Sequence, residues 1–201
     1  MRLIFTICAF IYCVGLTSAQ TEKGNLFFGG KSSMNISSTE IEQKSDYGNT
    51  SEKIKSLEFS PQIGYFIAEG FVIGSELSIN TSKYEHDAYV IKNTGLAIVP
   101  FARYYFGKTN LKPYLQAGLG YGSYKSKFDY DHFPEEYNGE DKKNQSLYKL
   151  EGGLGIFLNK SVALDLGLGY SSVTTKPKHG DDIEKTTVKG FALNVGFVIC
   201  L

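Results

Sequence analysis

The final residues, Phe191 to Leu201, alternate without interruption: Phe191, Leu193, Val195, Phe197, Ile199 and Leu201 point one way, Ala192, Asn194, Gly196, Val198 and Cys200 the other. Successive side chains of a strand face opposite sides, so this segment has one greasy face and one small or polar face. At a sheet edge in water it would template aggregation. In a bilayer it has the length and pattern of one stave of a barrel wall.

The start of the chain agrees. Met1 and Arg2 give a short positive start, Leu3 to Leu16 an apolar run, and Thr17-Ser18-Ala19 a small-residue cleavage site. Residues 1–19 are therefore expected to be a signal peptide, with residues 20–201 forming a single outer-membrane barrel domain. No lipoprotein pattern surrounds Cys8 or Cys13, and only Cys200 remains beyond the signal, which excludes an intramolecular disulfide. The formal charge of the whole chain is zero, so no polyanion such as nucleic acid is implied. Past residue 19 no run approaches the roughly 18 apolar residues of a transmembrane helix. A membrane protein without such helices must satisfy its backbone as a closed barrel.

Reading with a period of two gives eight segments, about Gly24–Ser37, Lys55–Ile67, Phe71–Lys83, Lys92–Phe106, Lys112–Phe128, Gln145–Leu158, Val162–Thr175 and the C-terminal strand. Their separators alternate. Short turns fall at 68–70, 107–110 and 159–161, and longer polar links at 38–52, 84–90, 129–143 and 176–185. Short turns face the periplasm in such barrels and long loops face outside. The expected fold is all-β: an eight-stranded antiparallel up-and-down transmembrane β-barrel with both termini periplasmic. A soluble barrel would bury its large apolar residues and expose its charges. Here charge shares a face with glycine instead.

That shared face is the expected interior. Glycines such as Gly64, Gly74, Gly118, Gly153 and Gly167 thin it, and Lys31, Glu58, Glu76, Arg103, Lys125, Lys149, Glu151 and Asp165 occupy it with nearly balanced signs. Charges confined in a narrow lumen must pair or stay hydrated, which predicts a salt-bridged network with Arg103 as its bidentate centre. The lumen then reads as a plug rather than a pore, with a gated ion path as the alternative. Tyr65, Tyr104, Phe106, Tyr121, Tyr148 and Tyr170 fall on the outward face near segment ends, where headgroup girdles belong.

Together with the C-terminal strand, Pro100-Phe101-Ala102-Arg103-Tyr104-Tyr105-Phe106 and Pro113-Tyr114-Leu115-Gln116-Ala117-Gly118-Leu119-Gly120-Tyr121-Gly122 resemble the small OmpA/OmpX-like, porin-family outer-membrane barrels. The resemblance covers residues 20–201 and implies the outer membrane of a Gram-negative bacterium, with its lipids and lipopolysaccharide as surroundings. It also implies that the barrel-assembly machinery recognises the last strand through Phe191, Leu193, Val195, Phe197, Ile199 and Leu201. In that family the strand usually ends in Phe; here it ends in Leu201. No peptidoglycan-binding domain is seen after the barrel, so cell-wall tethering is not implied.

Some small barrels of this kind are enzymes, and a serine-type hydrolase needs a base beside its nucleophile. His86, His132 and His179 all fall in the outer links, with no Ser-His spacing on a strand face, so no catalytic residue is assigned. Asp129, Asp131, Glu135, Glu136, Glu140 and Asp141 lack the spacing of a calcium loop, and no metal or cofactor is expected. The longest link mixes Tyr130, His132, Phe133 and Tyr137 with acids, a composition suited to an extracellular protein or glycan ligand. The sequence thus reads as an integral outer-membrane protein with a structural or surface-interaction role. A small channel stands second and a lipid-modifying enzyme third.

Overall fold

A computed structural model describes residues 21–33, 41–45, 48–86, 89–130, 139–177 and 186–201. These form nine strands: β1 (Leu26–Ser33), β2 (Ile41–Ser45), β3 (Gly48–Ala68), β4 (Phe71–His86), β5 (Tyr89–Tyr105), β6 (Leu111–Tyr130), β7 (Gly139–Phe157), β8 (Val162–Pro177) and β9 (Thr186–Cys200). Each pairs antiparallel with its sequence neighbour from β3 to β9, and β1 pairs with both β9 and β3. The ring therefore contains eight strands, β1 and β3 to β9, in up-and-down order. The short β2 adds to the outer end of β3 beyond the reach of β1.

Closure depends on the chain ends. Leu26 N–H donates to Leu201 O (2.6 Å) and Leu201 N–H to Leu26 O (3.0 Å), while Gly24 N–H and Phe66 N–H exchange bonds with Phe66 O and Asn25 O. The segment before β1 also seals the periplasmic end. Thr21 is buried there, with its carbonyl accepting from Gly70 N–H and its hydroxyl from Lys112 Nζ. Gly70, at φ 72°, makes the two-residue turn between β3 and β4 in a conformation a β-carbon would strain, and that β-carbon would lie 2.7 Å from Tyr105 O.

Apart from β1, described over Leu26–Ser33 within the expected Gly24–Ser37, the strands are longer than the alternating segments that mark them. The links expected at 38–52, 84–90, 129–143 and 176–185 contain β2, the first residues of β3, the outer ends of β4, β5 and β6, the start of β7 and the end of β8. The physical cause is that hydropathy alternates only where one face meets lipid. Crossing a bilayer takes about 9–11 tilted residues, and β3 has 21, β6 20 and β7 19. The surplus lies beyond the apolar band, where hydropathy no longer alternates and only the hydrogen-bond ladder reveals a strand.

The outward face carries the large apolar side chains. Leu119 is 73% exposed, Leu158 70% and Phe191 70%, and the row continues through Leu57, Ile63, Ile98, Leu115, Leu150, Leu168 and Phe197. A barrel in water could not carry that face, so the solvent it fits is hydrocarbon. Leu115 lies midway along the apolar band of β6. Leu115→Arg is expected to destabilise the folded barrel by about 2–4 kcal/mol, read as a lower urea midpoint in phospholipid vesicles. Lys127→Arg, beyond the band, should leave the midpoint unchanged.

Candidate functional site in the barrel lumen

Along each strand the inward residues fall into three layers. Nearest the periplasm is an apolar and aromatic layer, including Phe27, Phe66, Val72, Tyr105, Tyr114, Phe157 and Val198. Most of its rings meet edge-on or tilted, as between Phe27 and Phe66 and between Tyr105 and Phe157, whereas Phe66 and Tyr105 stack. On the loop side of the charges is a smaller apolar layer of Ala97, Val99 and Leu147, packed by Val173, with polar Asn93, Ser126 and Gln145 beyond it toward the loops. Between them lie the charges.

Arg103 is the hub. It is fully buried, and its Nη1 donates to Asp165 Oδ2 (2.5 Å) and Tyr105 Oη (2.7 Å). Nε donates to Gln116 Oε1 (2.7 Å) and Nη2 to Gln62 Oε1 (3.3 Å). The guanidinium also lies over the rings of Tyr114, Phe27 and Tyr105, at 4.3, 5.0 and 5.5 Å. A planar cation with five donors suits this combination of fork bonding and stacking.

Two branches leave the hub through neutral amides. Gln116 Oε1 also accepts from Lys31 Nζ, which pairs with Glu151 at 2.6 Å; Glu151 accepts further bonds from Tyr114 Oη (2.5 Å) and Asn194 Nδ2 (2.7 Å). Gln62 Nε2 donates to Glu76 Oε2 (2.6 Å), and Glu76 pairs with Lys149 at 2.7 Å. Lys149 also reaches Glu58 (3.0 Å) and Ser78 Oγ (3.0 Å). A cavity of about 40 Å³ lies between the branches, lined by Lys31, Glu58, Glu76, Lys149, Glu151 and Asn194 among others. At roughly 10–15 Å³ per water, it holds about three.

The structure thus brings Lys31, Glu58, Glu76, Arg103, Lys149, Glu151 and Asp165 into one connected set. Lys125 is not among them. Inward positions of β6 are even-numbered, so Lys125 shares the outer face with Leu119 and Tyr121 and pairs with Glu140 at 2.6 Å. Lys142 also reaches Glu140, at 3.1 Å. Hydrogen bonds from Lys125 and Lys142 hold the Glu140 carboxyl below the usual glutamate range. Phe191, Leu193, Val195, Phe197, Ile199 and Leu201 share the outer face of the β9 edge of the ring. Tyr130 ends β6, whereas His132, Phe133 and Tyr137 lie outside the described residues. His86 ends β4, and His179 also lies outside the described residues.

Gln62, Gln116, Tyr105, Tyr114 and Asn194 complete the network and were not singled out from sequence. Their signal was phase: each shares the inward parity of a charged neighbour on its own or the adjacent strand. Glycine makes their room. A β-carbon at Gly153 would lie 2.6 Å from the Tyr114 ring, and one at Gly167 would lie 2.7 Å from Tyr114 Oη and 2.8 Å from Glu151 Oε1.

Residues 9–198 match the outer membrane protein beta-barrel domain family, and the chain belongs to it. It is a protein of the Gram-negative outer membrane. Among solved structures, OprG from Pseudomonas aeruginosa is similar at 14% identity and TM-score 0.48, covering 90% of this chain and 98% of that one. The N-terminal barrel domain of Pseudomonas aeruginosa OprF is similar at 13% and 0.46, covering 91% and 99%. Neisserial surface protein A is similar at 16% and 0.45, covering 88% and 99%. At those scores it is the family match that defines the class. No curated protein matches the chain significantly.

Removing one partner of a buried ion pair strands the other charge. Arg103→Met alone should therefore cost about 3–5 kcal/mol of barrel stability, and Arg103→Met with Asp165→Leu should recover most of it. Urea titration read by the gel shift between folded and unfolded barrel checks the pair. Equal loss in the single and double variants would refute the coupling.

Proposed function

We propose that this protein is a plugged outer-membrane barrel with a structural and surface-interaction role, a rigid wall that presents its outer links to the exterior. The observation that carries this reading is the complete burial of Arg103, bonded to Asp165, Tyr105, Gln116 and Gln62 in a polar layer closed by apolar layers on both sides. An eight-stranded barrel is just wide enough for side chains to fill, and here aromatic rings and ion pairs take up the bore. On this reading residues 1–19 are the export signal, the outward apolar face of β9 meets the assembly machinery, and the link carrying Tyr130, His132, Phe133 and Tyr137 is the contact for an extracellular protein or glycan.

One observation favours a second reading, a small gated channel. Lys149 and Glu58 border the central cavity with part of each side chain exposed, so their pair can exchange partners at less cost than the pair at Arg103.

Conductance separates the two readings. In planar bilayers the wild-type barrel should be silent and Arg103→Ala should leak in discrete steps. Steady unitary conductance in wild type would overturn the plug in favour of the channel.

A further inference from the structure

We propose that residues 21–23 form a releasable strap over the periplasmic mouth of the barrel, and that Lys112 is its latch, passing between the Thr21 hydroxyl and the Asp165 carboxylate. The strap is held at its far end by one residue. Glu22, Lys23 and Gly24 are exposed, whereas Thr21 is buried, its carbonyl accepting from Gly70 N–H (2.7 Å) and its hydroxyl from Lys112 Nζ (3.0 Å). Otherwise it makes a long bond within its own turn, from Asn25 N–H to Glu22 O at 3.4 Å. Gly24, at φ 102°, joins the strap to the ring in a left-handed conformation that costs glycine little, and so serves as the hinge. From Gly24 onward the chain belongs to the ring, through the bonds of Gly24 and Asn25 to Phe66.

The docked strap leaves charge unmet. Lys112 is buried on β6, where its ammonium contacts the Thr21 hydroxyl and lies 5.5 Å from the centre of the Phe157 ring; among the described residues it pairs with no carboxylate. Asp165 is buried on β8, and its Oδ2 accepts from Arg103 while its Oδ1 has no hydrogen-bond partner. A buried ammonium without a counter-ion and a buried carboxylate oxygen without a donor each carry a desolvation cost. One movement relieves both.

Strand register places the two groups within reach. Lys112 lies opposite Gly155 on β7, and Gly155 lies opposite Asp165. Two strand spacings separate the outer pair by about 10 Å, and a lysine arm of about 6 Å with an aspartate arm of about 3.5 Å spans that distance. Glycine keeps the way between them free of a β7 side chain: a β-carbon at Gly155 would stand 3.4 Å from Asp165 Oδ1. The edge of the Tyr105 ring lies over the same spot, 3.1 Å from that position, so the crossing turns this ring aside. Oδ2 keeps Arg103 while Oδ1 receives Lys112, and the charged network gains a member without losing its hub. Thr21 is then left with the Gly70 bond alone, and the strap swings out about Gly24.

This inference stands on the geometry of the periplasmic end and holds whether or not the lumen conducts. The test uses the barrel purified from outer membranes into phosphatidylcholine nanodiscs, with amide hydrogen exchange read at Gly70, the donor to the Thr21 carbonyl. Thr21→Val keeps the shape of the side chain and removes the acceptor. A hydrogen bond from a charged donor shifts an equilibrium by roughly tenfold or more, so the Gly70 amide should exchange at least about tenfold faster in Thr21→Val than in wild type. The Leu26 and Leu201 amides that close the ring should be unchanged, and Thr21→Ser, which retains an acceptor, should match wild type. Solid-state NMR of Thr21→Val should also place Lys112 Nζ within about 4 Å of the Asp165 carboxyl carbon, a hydrogen-bonded distance. Unchanged exchange at Gly70 in Thr21→Val, or a Lys112 ammonium that stays away from Asp165 in that variant, would overturn the proposal. If Thr21→Val does not fold, wild type decides alone: a Gly70 amide as well protected as those of Leu26 and Leu201 rules the releasable strap out.

Discussion

The reciprocal hydrogen bonds between Leu26 and Leu201 are the constraint on which the rest of the barrel depends. Hydrocarbon offers no water to an open sheet edge, and each unpaired peptide group there costs several kcal/mol. The ring must therefore close, and it closes between the first barrel strand and the last. Eight strands then fix the bore, and the bore decides what the inward residues can be. Large inward side chains fit only beside glycine, which is why the Tyr114 ring lies against Gly153 and its hydroxyl against Gly167.

Filling such a bore with charge is costly unless every charge is met. The lumen meets most of that cost with neutral groups interposed between the ions. Gln116 and Gln62 connect Arg103 to the Lys31–Glu151 and Lys149–Glu76 pairs, and three aromatic rings cover its planar faces and edges. An apolar filling of equal volume would often be as stable or more so. What the ionic filling adds is definition, since each inward strand position has a partner that another register would not supply. The same connectivity makes Arg103 the residue whose loss is felt farthest, because both branches meet at it.

The fold was legible because a period of two in hydropathy is unambiguous wherever one face meets lipid. Leu193, Val195 and Phe197 could belong to no other arrangement once no transmembrane helix was found. Legibility ended where lipid ended. Gly48 to Glu52 carry no alternating apolar residues and fall in the link expected at 38–52, yet they pair in register with β2. Lys125 falls on the outer face for a related reason: past Tyr121 no outward position carries an apolar residue, so only the continued even–odd count shows its side. The interior charges were readable one by one from parity. Their partners were not, because which inward residue faces which depends on the tilt and stagger of strands far apart in sequence.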